Sequence, residues 1–382
     1  MLGSLSDVVF QLTVEEFLRA FRDRRRLHIA ATDPRRAHPL LSWQDVETMI
    51  SLRGFDAVEA MQNGMLIPPQ LYRSGPDLGA FHDMLAQGAS FIINQIQLHL
   101  PRIQGLTTSM ERELGFTVGV NAYFSFASGG AFKPHWDRHD VLVVQVHGAK
   151  TWKIWDSTFK NPVERSRHAR HDITDAPAQE LELSPGDVLY IPRGEPHAAS
   201  VSGGSSVHLT FGLNSLNGVD VLQQLQEAAG QDDFLRGDLP PRAAVGQLRD
   251  HQAELKARLH RLVDGLDLAA LLEKADANRP PVLQPSLAWS DAPDDVLRLT
   301  LRRRISLPEA AADGEPPPPV TIGGAAYSLS PAAIAILRRL FASDGDSRGD
   351  LMEALAAHHD GAAVTAGLRE LSRLGFLELV RA

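Results

Sequence analysis

The chain has 382 residues, of which 43% are hydrophobic and 22% are charged, and its formal net charge at pH 7 is -9. This composition is ordinary for a globular protein with room for two or three domains, and the acidic balance argues against a general affinity for nucleic acid. The sequence contains no cysteine, which excludes disulfides, thiolate zinc sites and cysteine nucleophiles and fits a cytoplasmic protein. No secretory leader is recognisable at its start, and no apolar run approaches the roughly 18 residues that cross a bilayer, so we expect no membrane partner.

The first 120 residues predict short helices with a few strands. Thr13 and Ser42 each begin a capping-box pattern, in which a hydroxyl residue is followed three positions later by an acidic one. Two further helices are predicted, over Phe81 to Leu85 and over Leu98 to Leu114, the second with a proline in its first turn. The apolar pair at 92–93 predicts a strand that enters the core. We expect this region to buttress the domain that follows.

A His-x-Asp motif at His135 and Asp137 is the first of two patterns that carry chemistry. Residues i and i+2 of a strand project from the same face, so both side chains can bind one metal while Trp136 points the other way. The second pattern, Gly-x5-Pro-x-Gly-x2-His, runs from Gly186 to His197. Its apolar strand and Pro-x-Gly turn are expected to return His197 to the interior. Two imidazoles and one carboxylate are the ligand set of a facial-triad iron(II) site, which leaves positions for a cosubstrate and O2.

The same residues also allow an interpretation without a metal. His135 and His197 would then be core histidines with satisfied hydrogen bonds, and Asp137 a carboxylate in a turn. A single histidine would favour that interpretation. The joint occurrence of both patterns favours the metal site, because the second pattern fixes several residue types over twelve positions.

Further motifs accompany the two patterns in a fixed order. They are Asn121-x-Tyr123, then His135-x-Asp137, then the apolar run Val141 to Val146 leading into Gly148-Ala149-Lys150-Thr151-Trp152. In this order and spacing, residues 121 to 214 resemble the JmjC/cupin 2-oxoglutarate oxygenases, and most closely the ribosomal oxygenase branch. The resemblance implies an α+β fold with a double-stranded β-helix core, the cupin/JmjC jelly roll. The core would lie at about residues 119–214, within an oxygenase domain at 1–217.

The resemblance also implies cofactors and site residues. Fe(II) would be held by the triad, with 2-oxoglutarate and O2 at the remaining positions. Tyr123 and Lys150 would hold the distal carboxylate of 2-oxoglutarate, and Asn121 would lie near the metal. Independently of the family, a lysine inside a barrel needs an anionic partner, which a dicarboxylate supplies. The alternatives are that Tyr123 belongs to the packed core and that Lys150 is a surface lysine at a hairpin turn.

The chain departs from the family pattern at one point. At the position of Gly212 the family usually has a small hydroxyl residue that faces the substrate or cosubstrate. Gly212 stands at that place, and Thr210 is the nearby hydroxyl residue that can compensate.

The function implied by the resemblance is hydroxylation of a side chain, with arginine or histidine of a ribosomal protein favoured. A hydroxylase of a peptide natural-product precursor is an alternative of the same chemistry. A metal cupin that is not an oxygenase is a second alternative, although such cupins usually carry a third histidine where Asp137 stands. A catalytically silent binding module is a third, and the intact ligand set argues against it.

Residues 218–290 predict a helical segment. Val221, Leu222 and Leu225 recur at helical spacing, and leucines separated by charged residues follow around 255–262. Packed helices of this kind resemble the dimerisation segment of the family and imply a possible homodimer. The alternative is a helical extension that packs on its own barrel.

Residues 291–382 predict a winged-helix-like domain. Ser330 and Pro331 begin a helix, two more follow at about 350–357 and 362–374, and a strand closes the chain. A DNA-binding winged helix needs a basic recognition helix, yet this region has 10 arginines against 13 acidic residues, a net charge of -3. We therefore expect a scaffold or a peptide-docking domain, and no DNA partner.

Overall fold

The structure is a computed structural model, which describes residues 4–53, 58–62, 65–70, 78–126, 133–157, 159–163, 176–201, 203–241, 245–282, 292–309, 317–343 and 345–380. The chain divides into two compact units. Unit 1 consists of Met1–Asn214, Val282–Gln284 and Thr300–Arg302, and unit 2 of Ser215–Pro281, Pro285–Leu299 and Arg303–Ala382. Among the described helices, none has the length and apolar character needed to span a membrane.

The helices of unit 1 precede and flank its strands. They are Leu5–Val9, Val14–Arg22, Trp43–Arg53, Leu78–Ala86 and Pro101–Leu114, with 3-10 turns at Pro34–Leu40 and Ile96–Leu98. Both predicted capping boxes are confirmed: Thr13 and Ser42 each accept a hydrogen bond from the backbone N–H three residues later. The helix predicted from Leu98 begins instead at Pro101, because Leu98 still belongs to the preceding 3-10 turn.

The described strands of unit 1 form two antiparallel sheets. In spatial order the large sheet consists of β1 (Leu27–Ile29), β9 (Val188–Ile191), β6 (Asp140–His147), β11 (Ser206–Asn214), β5 (Thr117–Ser125), β4 (Ser90–Ile93), β2 (Val58–Gln62) and β3 (Met65–Leu66). The small sheet consists of β10 (His197–Val201), β7 (Lys150–Ile154) and β8 (Gln179–Leu183). The strand predicted at 92–93 is β4, which pairs with β5.

Side-chain alternation divides the large sheet into two faces. On β11, Leu209 and Phe211 are fully buried in a core shared with the N-terminal helices. His208 and Thr210 project from the opposite face, because successive strand residues alternate. On the neighbouring β5, Phe124 belongs to the helix-side core and Tyr123 to the other face. The period of two therefore carries the polar residues of both strands toward the small sheet.

A second core fills the space between the two sheets. Val143 on β6 and Leu189 on β9 come from the large sheet, and Trp152 on β7 and Leu183 on β8 come from the small sheet. All four residues are buried. Two antiparallel sheets that share such a core have the layout predicted for a double-stranded β-helix.

Gly148 lets the chain pass from one sheet to the other. Its φ is +60°, and a Cβ atom there would lie 1.9 Å from the carbonyl oxygen of Ser205, so only glycine fits. The chain leaves β6 of the large sheet and starts β7 of the small sheet at Lys150. The strand that carries Lys150 therefore lies in the sheet opposite to β6.

Unit 2 begins with helices and ends with a mixed helix and strand region. The helices are Gly218–Ala229, Asp233–Arg236, Val245–Asp264 and Leu268–Ala277. The elements after them are β12 (Val296–Leu299), β13 (Val320–Ile322), β14 (Ala325–Tyr327), helix Pro331–Ser343, β15 (Asp346–Ser347), helices Arg348–Leu355 and Gly361–Arg373, and β16 (Leu377–Val380). Strand β12 pairs with both β15 and β16. The three helices predicted after residue 330 and the closing strand are thus present.

Candidate metal centre

His135, Asp137 and His197 converge on one cavity of unit 1. A potential ligand atom of each residue lies within 4.8 Å of those of the other two. Nε2 of His197 is 3.4 Å from Oδ2 of Asp137. Within the described residues, no other group of three or more histidine or acidic side chains comes together in this way. The sequence motifs, 60 residues apart along the chain, thus meet in space.

Backbone hydrogen bonds hold two of these residues together. His135 N–H donates to the carbonyl oxygen of His197 at 3.1 Å, and His197 N–H donates back at 2.8 Å. The spacing predicts a strand through 135–137, but the structure has an isolated antiparallel bridge. Pro134 has no N–H and cannot extend the pairing on that side. Trp136 is buried near Phe159, away from the two donor side chains, as predicted.

The Pro-x-Gly turn before His197 also contacts the motif. Gly194 N–H donates to the carbonyl oxygen of Asp137 at 2.9 Å. The glycine has a φ of +85°, and a Cβ atom there would lie 2.6 Å from Cδ of Pro162. A left-handed turn residue with no side chain is therefore required to bring the two motifs together.

Both imidazoles are oriented by backbone carbonyl groups. Nδ1 of His135 lies 3.0 Å from the carbonyl oxygen of Lys133, and Nδ1 of His197 lies 3.0 Å from that of Glu195. A carbonyl oxygen can only accept, so each Nδ1 carries the proton. Each Nε2 is then the ring atom that can give up a proton and bind a metal, which is the arrangement found in histidines that bind metals.

The charges of the three residues stabilise one another. Burial by itself would raise the pKa of Asp137, but the hydrogen bond from His197 and the charges of His197 and His135 hold that pKa well below its usual range. Burial would lower the pKa of His197, yet the hydrogen bond and charge of Asp137 raise it. The carboxylate is therefore ionised at neutral pH and attracts positive charge, as a metal site requires.

The cavity extends from the triad into the space between the sheets. Its lining combines the triad with polar and aromatic residues of both sheets: Ser90, Tyr123, Ser125, His135, Asp137, Val141, Lys150, Trp152, His197, Ala199, His208 and Thr210. Tyr123, Lys150 and Thr210, which the sequence predicts as cosubstrate residues, are among them. One small-molecule site can therefore contact both the triad and these three side chains.

Lys150 is a buried cation without a carboxylate partner among the described residues. The residue is 5% exposed, and its Nζ lies 3.2 Å from Nδ1 of His208. Burial lowers the pKa of Lys150 to about 7. A buried ammonium group normally pairs with an anion, so this cavity favours an anionic ligand.

Two residues singled out in the sequence, Asn121 and Gly212, have surroundings that differ from those implied by the family pattern. Asn121 does not line the cavity, and its Oδ1 accepts a hydrogen bond from Gln95 N–H at 2.9 Å, a contact that fixes the turn after β4. Its role beside the metal stays a prediction. At Gly212, a Cβ atom would lie 2.9 Å from the ring of His139. The imidazole thus occupies the space in which the hydroxyl residue of the family pattern would stand.

Sequence reasoning gave no site role to several residues that line the cavity, among them His208 and Trp152. His208 is buried on β11, in a run where Val207, Leu209 and Phe211 face the other way. That alternation of apolar and polar residues was the available signal. The indole Nε1 of Trp152 is buried and has no hydrogen-bond partner among the described residues. It adds a free donor to the cavity wall.

Comparison with known proteins relates the chain to oxygenases. Residues 93–221 match the model of the JmjC domain. The bifunctional lysine-specific demethylase and histidyl-hydroxylase NO66 of Culex quinquefasciatus is 28% identical over 251 residues, which are 60% of this chain and 37% of that protein. Ribosomal oxygenase 2 of Mus musculus is 30% identical over 187 residues, which are 45% of this chain and 40% of that protein. The chain therefore spans less than half the length of these curated relatives.

Solved structures of YcfD, a ribosomal oxygenase from Escherichia coli, resemble nearly the whole chain. The complex with cobalt and succinic acid gives a TM-score of 0.56 at 18% identity and covers 97% of this chain and 99% of that one. The complex with cobalt and 2-oxoglutarate gives 0.53 at 17% identity, with the same coverage. At such identities the likeness establishes the fold alone, a JmjC/cupin-type fold with mixed helix and sheet content, as predicted. Residues 93–221 thus match a JmjC domain, and part of the chain is similar in sequence to ribosomal oxygenases.

Proposed function

We propose that the chain is an Fe(II)- and 2-oxoglutarate-dependent oxygenase that hydroxylates a side chain of a protein or peptide. One observation carries the proposal: a single cavity is lined by a two-histidine, one-carboxylate donor set and by the buried cation Lys150. The donor set suits iron(II) and leaves coordination positions for a chelating cosubstrate and O2. The lysine supplies the charge that the second carboxylate of 2-oxoglutarate requires.

The residues of the chain would bind the metal and the cosubstrate, orient them and shield them from water. His135, Asp137 and His197 would hold the metal, and Lys150 with Tyr123 would hold the distal carboxylate of the cosubstrate. When bound, iron(II) and 2-oxoglutarate supply the oxidising power to place one atom of O2 in a substrate C–H bond, while the other atom ends in succinate and CO2 is released. The buried walls between the sheets would keep water away from that chemistry.

The test is turnover of 2-oxoglutarate to succinate by the purified chain with iron(II). We expect His135→Ala to abolish turnover and metal binding while the protein stays folded, because one of three ligands is lost. His147→Ala is the matched control, since His147 stacks on His38 and Trp43 outside the cavity. Full turnover in His135→Ala would contradict the proposal and favour a silent binding module. Metal binding by the wild type without 2-oxoglutarate binding would favour another kind of metal cupin.

The proposed substrate is an arginine or histidine side chain of a ribosomal protein. Support comes from the names of the relatives, a histidyl-hydroxylase and two ribosomal oxygenases. A precursor peptide of a natural product remains the alternative substrate of the same chemistry. Intact-mass analysis of ribosomal proteins after incubation with the enzyme should reveal a gain of about 16 Da, one oxygen atom, that depends on 2-oxoglutarate. Modification of a small peptide fraction alone would support the alternative.

We further propose that residues 218–277 form the interface of a homodimer. Helices Gly218–Ala229 and Leu268–Ala277 contain no buried residue. Their exposed apolar residues recur at helical spacing: Val219 44%, Leu222 63%, Leu259 44%, Val263 56%, Leu268 56% and Leu272 49% exposed. Stripes of this kind on consecutive helices are typical of surfaces that pack against a partner.

Sedimentation of the full chain tests the dimer. Leu222→Glu should shift the protein to the monomer, because a charge would replace an apolar contact at the centre of the stripe. Leu66→Glu is the matched control, a leucine 54% exposed on β3 of unit 1. A wild-type chain that is monomeric at micromolar concentration would contradict the proposal.

For residues 291–382 we propose a winged-helix-like domain that docks substrate or another protein. Three helices, a short strand and a closing strand on β12 support this assignment. The excess of acidic over basic residues argues against DNA, since phosphate contacts need clustered arginine and lysine. Steeply salt-dependent binding of duplex DNA by the full chain would overturn this view.

We also propose a cytoplasmic location. The absence of cysteine fits a reducing compartment, and a ribosomal protein substrate would be encountered there. Fractionation of cells that express the chain tests this location.

A further inference from the structure

His208 lies at the centre of the cavity wall formed by the large sheet. It is 3% exposed, and in the strand register it stands opposite Tyr123 of β5 on one side and Gln145 of β6 on the other. It is neither one of the triad residues nor one of the residues to which the family pattern assigns a role. The proposed function therefore assigns no role to this buried imidazole, although it lines the ligand cavity.

One contact of His208 orients Lys150. Nζ of Lys150 lies 3.2 Å from Nδ1 of His208. An ammonium group can only donate, so Nδ1 is the acceptor and the imidazole carries its proton on Nε2. Burial, and then the charge of Lys150, lower the pKa of His208 well below its usual value, which keeps the ring neutral. The lysine thus has one donor occupied in a fixed direction and two left for a ligand.

A second contact of His208 orients Tyr123. The two rings are parallel within 1°, with centroids 4.8 Å apart. Trp152 meets the same imidazole edge-on, with centroids 5.5 Å apart and an interplanar angle of 77°. The imidazole is therefore held between two aromatic rings, and it limits the rotation of the tyrosine ring in return. Both residues expected to bind the distal carboxylate are in direct contact with one histidine.

We propose that His208 is a positioning residue that fixes Lys150 and Tyr123 for the distal carboxylate of 2-oxoglutarate. The inference rests on the proposed function, since it concerns the same cosubstrate. It adds a reason for which the cavity would favour a dicarboxylate: the acceptor Nδ1 of His208 holds the ammonium group of Lys150 in one direction. His208 would act through Lys150 and Tyr123, which it contacts directly, and it is not one of the three residues that would hold the metal.

The test compares two ligands that differ only in the distal carboxylate. 2-Oxoglutarate and 2-oxopentanoate have the same five-carbon chain and the same chelating end. Their binding to the cobalt(II)-loaded full chain is measured by calorimetry. His208→Phe keeps a ring beside Tyr123 but removes the acceptor, and it should weaken 2-oxoglutarate binding roughly threefold to tenfold, as expected for one hydrogen bond. Binding of 2-oxopentanoate should stay unchanged.

Two further variants separate positioning from general damage. His208→Asn places an amide oxygen near the position of Nδ1 and should recover part of the affinity for 2-oxoglutarate that His208→Phe loses. In a Lys150→Met background, His208→Phe should have little further effect, because the donor that it orients is gone. His147→Phe is the control for a histidine outside the cavity, and it should leave both ligands unaffected.

The outcomes are distinguishable. Unchanged 2-oxoglutarate binding by both His208 variants would overturn the inference, and so would equal weakening of both ligands, which would indicate a merely structural histidine. If the cobalt(II)-loaded wild type bound no 2-oxoglutarate, the proposed function itself would fail. Cobalt(II) affinity should be the same in all the His208 variants, and its loss would also contradict a role confined to the distal carboxylate.

Discussion

Replacing Lys150 with methionine is expected to stabilise the cofactor-free protein and to weaken its binding of 2-oxoglutarate. Methionine has nearly the length of lysine but no charge, so it fills the same space between the sheets. The ammonium group is buried beside a neutral histidine, an arrangement that costs free energy in the absence of an anion. The same charge becomes favourable when a carboxylate binds. The two effects therefore have opposite signs.

The size of the first effect follows from the pKa of Lys150. Burial lowers that pKa from 10.5 to about 7. At about 1.4 kcal/mol per pKa unit, the burial costs on the order of 5 kcal/mol below pH 7. Between pH 7 and 10.5 the unfolded chain binds a proton that the folded chain does not, so the stability of the wild type rises with pH through that window. The advantage of Lys150→Met should accordingly shrink between pH 7 and pH 9.

The size of the second effect follows from the lost hydrogen bond. A charge-assisted bond to a carboxylate in a buried pocket contributes about 1.5 to 3 kcal/mol, or roughly tenfold to more than a hundredfold in affinity. Denaturant unfolding at the two pH values measures stability, and calorimetry on the cobalt(II)-loaded protein measures 2-oxoglutarate binding. Lys153→Met is the matched control, since Lys153 lies on the same strand with its side chain 46% exposed and paired with Glu180. It should change neither quantity by more than about 0.5 kcal/mol.

Two results would refute this reasoning. A Lys150→Met protein that is less stable than the wild type by the same amount at both pH values would show that the ammonium group is not desolvated. An unchanged affinity for 2-oxoglutarate would place Lys150 outside the cosubstrate site, even if the stability behaved as expected.

Three other predictions concern the same unit. Asp137→Ala should leave the protein folded but remove cobalt(II) binding in calorimetry, because the carboxylate is the anionic ligand of the set; retained micromolar binding would argue against the triad. Gly148→Ala should lower the free energy of unfolding by roughly 3 kcal/mol or more, because a positive φ and a backbone clash combine, whereas Gly119→Ala, with open space at its Cβ position, serves as the mild control. The affinity of the wild type for 2-oxoglutarate should fall about tenfold per pH unit above pH 7, since the carboxylate binds the protonated form of Lys150, and Lys150→Met should lose this dependence.

Local sequence signals determined much of this molecule. Hydroxyl residues at helix starts predicted the capping boxes at Thr13 and Ser42, because these bonds join residues three positions apart. The His-x-Asp spacing and the Pro-x-Gly turn before His197 predicted which side chains meet, because each pattern constrains its own backbone. The order of motifs also predicted the resemblance to the JmjC domain, which residues 93–221 match.

Only the tertiary structure decided how distant strands share the cavity. Lys150 meets His208 across 58 residues of chain, and this contact depends on Gly148 directing the chain into the opposite sheet. Oδ1 of Asn121 accepts a hydrogen bond from the backbone N–H of Gln95, and this contact depends on where β4 ends. The alternation of polar and apolar residues predicts which face of a strand a residue occupies. It does not predict which strand of another sheet lies opposite that face. That information comes from how the two sheets pack, and it determines the partners of each buried polar group.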